Sequence, residues 1–215
     1  MGPKGKGVGK LSSAERCSTF ALPALQTRAL TDTKCRFAEF SASQPRALAG
    51  NVKFNLIDKI ESLDEHRLVA CKHVSLAEEY LADHFPTFPV LPGVLMLEAL
   101  VQAAGWLLQV RQDFACSMVV LREARNVKYG RFVLPGSHLR VEVELLKITA
   151  AGAAFKATGT VEDAVAVSGR IELTCFNLAD KQPELASIDQ RLRDHNRRRW
   201  ALIAPSAAAN LRQIA

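Results

Sequence analysis

No two of the five cysteines (Cys17, Cys35, Cys71, Cys116, Cys175) form a Cys-x-x-Cys pair, and their number is odd. That argues against a disulfide framework and against a structural zinc site. The five histidines give no metal either, since no pair has helix or hairpin ligand spacing with a carboxylate nearby. No apolar run follows the basic start, so no secretory signal is read there. The expected location is the cytoplasm, with organelle import through residues 1–50 as the alternative. There is no internal repeat.

Acidic residues are scarce at both ends. Residues 1–50 hold eight Lys/Arg against three acids, and residues 181–215 hold seven against three. Residues 51–180 therefore carry 13 basic and 16 acidic side chains, so the +6 net charge belongs to the ends and the core is slightly acidic. A basic pI raises the question of nucleic acid, but this distribution speaks against it. The stretch 1–50, opening Gly- and Lys-rich without apolar periodicity, is expected to be a basic disordered extension. Residues 181–215 are expected to form a basic, solvated tail with a short helix as one form.

Between the ends lies the window 88–110, apolar and long enough to span a bilayer. Glu98 sits near its middle, Gln102 and Gln109 follow, and Pro92-Gly93 stands near its start. A buried core helix from about Gly93 to Val110 fits better. Before it, residues 66–76 read as a strand, 77–85 as a helical turn, and the three prolines of 86–93 as a loop. After it come strands at 116–130, 138–148, 153–163 and 164–178. Leu139, Val141, Val143 and Leu145 alternate with polar residues, the mark of a half-buried antiparallel strand. One helix apolar nearly all round needs wrapping, so the expectation is an α+β domain over 51–180, a curled antiparallel sheet around a long central helix.

At 100° per residue, Glu98, Gln102 and Gln109 share one narrow face of that helix. Polar groups on one line of a buried helix need partners or a cavity. Burial would push a glutamate pKa up, towards what a general acid needs. His84 precedes the proline-rich loop, and the helix start at Gly93 offers N–H groups to a carbonyl oxygen. Base, oxyanion site and acid in that order suit proton abstraction beside a carbonyl with loss of hydroxyl as water. Taken singly, His84 also fits a structural loop histidine, and Glu98 the exposed edge of a helix.

The register of His84-Phe85-Pro86, Pro89-Val90-Leu91-Pro92-Gly93-Val94-Leu95 and Glu98-Ala99-Leu100-x-Gln102 resembles the 3-hydroxyacyl-[acyl-carrier-protein] dehydratase family of bacterial fatty acid synthesis, a hot-dog fold family. The resemblance runs from about Phe54 to Leu178 and covers neither end. It implies that His84 takes the α-proton of a 3-hydroxyacyl thioester and that Glu98 handles the leaving β-hydroxyl. It implies that the Val90 carbonyl holds the histidine ring and that the Gly93 and Val94 N–H groups polarise the thioester carbonyl. Gln102 joins them as a substrate-binding group, and Tyr129 and Phe132 line an apolar acyl tunnel. It further implies no metal or organic cofactor. The implied partners are an acyl carrier protein and a second copy of the chain, which supplies Glu98 to the first copy's His84; a trimer of such dimers is the larger form. Arg122, Arg125, Lys128 and Arg131 are candidates for docking the acidic carrier. The alternatives are a hot-dog thioesterase, an enoyl-CoA hydratase, or a non-catalytic acyl-binding subunit. Two departures stand out: Thr87 replaces the family's glycine, and Phe132 and Ser137 alter the second Pro-Gly region.

Overall fold

The computed structural model describes residues 54–85 and 87–204, so the extension expected over residues 1–50 lies outside the described residues. Strands β1 (Lys59–Leu63), β2 (Arg67–His73), β3 (Met118–Tyr129), β4 (His138–Thr149), β5 (Gly152–Val161) and β6 (Ala164–Phe176) form one antiparallel sheet in the order β1-β2-β4-β5-β6-β3. Helices α1 (Tyr80–Asp83), α2 (Gly93–Arg111) and α3 (Ala186–Ile203) complete it.

The sheet wraps α2, which packs on five of the strands, β2 to β6. Ala99, Leu100, Ala103, Ala104, Leu107 and Leu108 are wholly buried there. The three alanines have no bulk beyond Cβ, so the strands approach the helix closely. A helix with a mean hydropathy of 1.5 could cross a membrane by length and composition; here its apolar surface is used inside the domain. This is the α+β arrangement that the sequence pattern predicted, and the hot-dog fold that the resemblance implied.

In β4 the buried residues are Leu139, Val141 and Val143, with Leu145 packed against the same core. The alternation then breaks: the pairing with β5 shifts register between Leu145 and Lys147, and Lys147, next in the inward series, is exposed. A bulge adds one residue and turns the following side chains over. The β5–β6 hairpin pairs Val161 with Ala164. Its two turn residues, Glu162 and Asp163, have φ of 49° and 63°, the signature of a type I′ turn, whose twist matches the strands.

Lys72 lies in β2 and is almost wholly buried. Its ammonium meets Glu78 at 2.6 Å and Asp58 at 3.6 Å. A buried charge needs such partners, and this one clamps the loop that leads into α1.

Residues 186–203 correct the expectation of a solvated tail with at most a short helix. They form an 18-residue helix seated against the domain through Trp200, Ile203 and the residue after it, Ala204. Trp200 packs against Trp106 of α2 with ring centroids 5.9 Å apart. Arg197 donates to the Asp113 carbonyl at 2.9 Å and lies over the Phe114 ring. At the other end Asp189, 1% exposed, accepts from Ser117 Oγ and from the N–H groups of Leu178 (2.9 Å) and Ala179 (2.8 Å). Burial alone would raise its pKa, but those bonds and the charge of Arg193 outweigh it and hold it below the ordinary aspartate value.

Candidate active site

His84 is the residue on which α1 ends, its N–H donating to the Tyr80 carbonyl at 3.1 Å. Tyr80 is anchored by stacking on Phe54. The backbone turns at once: Phe85 has φ of 51°, and Phe88 N–H donates to the Phe85 carbonyl at 2.8 Å. This turn points the imidazole back under the loop, where Nδ1 lies 3.2 Å from the Val90 carbonyl oxygen. A carbonyl only accepts, so the bond puts the proton on Nδ1 and leaves the Nε2 lone pair free. Val90 is held in turn by its neighbour: Leu91 N–H donates to the Val133 carbonyl at 2.9 Å.

Half-buried His84 lines a cavity of about 400 Å³ together with Phe85, Val90, Gly93, Tyr129 and Phe132. The start of α2 opens on it. Pro92 precedes the helix and has no capping side chain; its carbonyl takes the N–H groups of Leu95 (2.9 Å) and Met96 (3.0 Å). The N–H groups of Gly93 and Val94 have no intrahelical acceptor and carry the positive end of the helix dipole. Gly93 also makes room for a ring: a Cβ there would stand 3.2 Å from Tyr129 Cε1. Phe132 is exposed and meets Phe88 edge-on at 5.8 Å. So the structure brings His84, Val90, Gly93, Tyr129 and Phe132 together around one cavity, with Val94 exposed beside them.

Glu98 does not join them within one chain. It lines a different groove, of about 180 Å³, with Gln102, Gly105, Trp106 and Gln109. One carboxylate oxygen accepts from Gln102 Nε2 at 3.0 Å. Gln102, expected to bind substrate, is occupied by the protein: Nε2 also donates to the Phe54 carbonyl at 2.9 Å, and Oε1 accepts from Leu56 N–H at 2.9 Å. Both amide hydrogens are used, which makes Gln102 a positioning group for Glu98.

Thr87 is exposed in the turn after Phe85. Three of the four basic docking candidates, Lys128 being the exception, are charge-balanced. Arg122 pairs with Glu172 (3.1 Å), Arg125 with Glu123 (2.6 Å) and Arg131 with Glu162 (3.1 Å), all on the surface. Such exposed pairs add little stability, but they mute the field that would attract an acidic partner. Two features of the site region had no sequence signal: the Lys72 clamp, because a lysine in a strand reads as solvent-facing, and Arg199 of α3, which lines the Glu98 groove.

Residues 48–170 match the model of the FabA-like domain. Over 118 residues the chain is 40% identical to a protein named 3-hydroxyacyl-[acyl-carrier-protein] dehydratase FabZ from Clostridium perfringens, covering 55% of this chain and 85% of the relative. A protein of the same name from Solibacter usitatus is 37% identical over 130 residues, 60% of this chain and 78% of the relative. Among solved structures, the dehydratase heterocomplex ApeI:P from Xenorhabdus doucetiae superposes with a TM-score of 0.51 at 19% identity, covering 64% of this chain and 93% of that one, a likeness of fold. Helix α3 lies beyond the matched segment. With the family model covering more than half of its length, this chain belongs to the FabA-like family.

Proposed function

We propose that the protein is a hydro-lyase that dehydrates 3-hydroxyacyl-[acyl-carrier-protein] to the trans-2-enoyl thioester in fatty acid synthesis or a related lipid pathway. The observation that carries this is the bond between His84 Nδ1 and the Val90 carbonyl at 3.2 Å. It leaves Nε2 as a base facing a cavity at whose edge the helix N–H groups await an oxygen. His84 removes the α-proton. Negative charge develops on the thioester oxygen, where Gly93 and Val94 N–H stabilise it. The electron pair forms the Cα–Cβ double bond as the C–O bond breaks, and protonated Glu98 gives its proton to the leaving hydroxyl, which departs as water. The proton on His84 then returns to Glu98 through solvent, so the cycle balances. Hydration of the enoyl thioester is the same path reversed.

The working site combines His84 of one chain with Glu98 of the partner subunit. The supporting geometry is in β3, an edge strand of 12 residues bonded only to β6 within the sheet. Val119, near its start, lines the Glu98 groove together with Gly105. Tyr129, at its end, lines the His84 cavity. Two β3 strands paired antiparallel about a two-fold axis set the start of one beside the end of the other. Each Glu98 groove then adjoins the other chain's His84 cavity. An unpaired edge of this length is itself a template for such pairing.

The test is hydration of crotonyl and longer enoyl thioesters, carried on acyl carrier protein and on coenzyme A. Turnover lost in both His84→Ala and Glu98→Gln is the expected result. Wild-type protein inert on every chain length would overturn the proposal, and thioester cleavage without hydration would point to a thioesterase instead.

A further inference from the structure

Two histidines that the proposed reaction does not use meet on the outer face of the sheet. His73 ends β2, His138 opens β4, and the two stand directly opposite each other where those strands pair. The His73 N–H donates to Asp58 Oδ2 at 2.7 Å rather than to His138, and the ladder resumes one step on, with Val74 N–H donating to the Ser137 carbonyl at 3.1 Å. They are thus an opposed pair without mutual backbone bonds, the kind whose side chains stand closer. Their neighbours Lys72 and Leu139 are buried, whereas both imidazoles are exposed on the opposite face. The rings meet edge-on with centroids 4.0 Å apart, and the two Nδ1 atoms are 3.1 Å from each other. Because α2 and β3 intervene, the partners are 65 residues apart, and no helix or hairpin spacing announces them.

That nitrogen-to-nitrogen distance is the bite of a metal ligand pair. Neutral imidazole is a good ligand for Zn²⁺, Ni²⁺ and Cu²⁺. Two nitrogens each about 2.0–2.1 Å from one ion lie about 3.3–3.4 Å apart at a tetrahedral angle and about 2.9 Å apart at a right angle. The observed 3.1 Å falls between the two. In the neutral pair one ring donates its Nδ1 proton to the other; shifting that ring to its Nε2–H tautomer frees both Nδ1 lone pairs for one ion, with no net proton released. Exposure lets the rings turn towards a common point and gives water access to the remaining positions. The Asp58 carboxylate, bonded at the same backbone, adds negative charge on this side. Among the described residues no group of three His, Cys, Asp or Glu side chains could hold an ion, so two imidazoles are the protein's whole contribution.

We propose that His73 and His138 hold one divalent transition-metal ion of the Zn²⁺, Ni²⁺ and Cu²⁺ class through their Nδ1 atoms, with water completing its coordination. The ion would tie β2 to β4 where the loop carrying Phe132 and Val133 joins β4. That junction is otherwise held by the Val74–Ser137 bond and by Gly136 N–H, which donates to the Val74 carbonyl at 2.8 Å. An ion bound only by the folded pair stabilises the fold by mass action.

Calorimetric titration of the full chain with Ni²⁺ tests the site. A single saturable site is expected, with affinity at least about tenfold lower in each of His73→Ala and His138→Ala. His66→Ala, which removes another exposed histidine, leaves it unchanged. Saturating Ni²⁺ raises the thermal unfolding midpoint of wild type and of His66→Ala, but of neither pair variant. Midpoints without Ni²⁺ check that the variants fold. No saturable binding up to millimolar Ni²⁺, affinity kept in either pair variant, or a midpoint raised equally in all four proteins overturns the site. Weaker binding in Cys71→Ser alone would assign the ion to a thiol and overturn it too.

Discussion

Gln102 holds the Glu98 carboxylate at 3.0 Å with the same amide that ties down the backbone of Phe54 and Leu56. The acid is thus oriented by the segment leading into β1, not by its own helix alone. Gln102→Ala removes the support and leaves two backbone groups without partners. We expect kcat to fall about tenfold or more with KM little changed, since orientation matters most in the transition state. Stability should drop by about 1–3 kcal/mol. Steady-state kinetics and urea unfolding read the two effects separately.

Pairing of half-sites across two chains makes a mixing experiment decisive. His84→Ala and Glu98→Gln are each inactive alone. When they are unfolded together and refolded, random re-pairing leaves about one site in four with both intact residues. Recovery of about a quarter of wild-type turnover is expected. A mixture as dead as its components would mean that each site lies within one chain.

Asp189 predicts an acid-labile helix. Its pKa is lower folded than unfolded, so its contribution is fully present above the unfolded aspartate value of about 3.9 and is lost as pH falls through the folded value. Asp189→Asn should therefore be less stable than wild type at pH 7, with the gap narrowing below about pH 4. Unfolding midpoints at the two pH values measure this, and proteolysis within α3 reports whether that helix loosens first.

The β5–β6 turn can be improved. Glu162 and Asp163 both sit at positive φ, which costs side-chain-bearing residues energy. Replacing the pair with Asn-Gly, the preferred type I′ sequence, should stabilise the domain by about 1 kcal/mol. That corresponds to a rise in Tm of about 2–4 °C for a chain of this size. Loss of the ion pair between Arg131 and Glu162 is a small offset, since both partners are exposed.

What could be read from the sequence was what is local. Strand alternation from Leu139 to Leu145 is set by a period of two along the chain, and it held. The bulge that leaves Lys147 exposed was invisible, because it is decided by pairing with β5. The His84 and Glu98 motif was legible by its spacing, whereas the work of Gln102 depends on residues 46 and 48 positions away. The departure at Thr87 drew attention to that position, yet the positive φ recorded in the loop belongs to Phe85. Helix α3 was hardest of all. Its arginines announce a solvated surface, and nothing nearby in sequence shows that Asp189 will find Ser117, 72 residues earlier.

The bond from Arg199 to Asn55 spans 144 residues. A chain made at about 5–20 residues per second completes the Asn55 segment roughly 7–30 s before Arg199 exists. The last strand, β6, ends at Phe176, so the outer face of α2, with Trp106 and Glu98, has the whole sheet behind it and no α3 in front only for the last 23 residues, about 1–5 s. The nascent domain therefore passes through a stage with its wrapped core formed and its acid-bearing groove open. Closure by the last described helix is a late step in biogenesis, and during it a second copy or a chaperone has first access to that face.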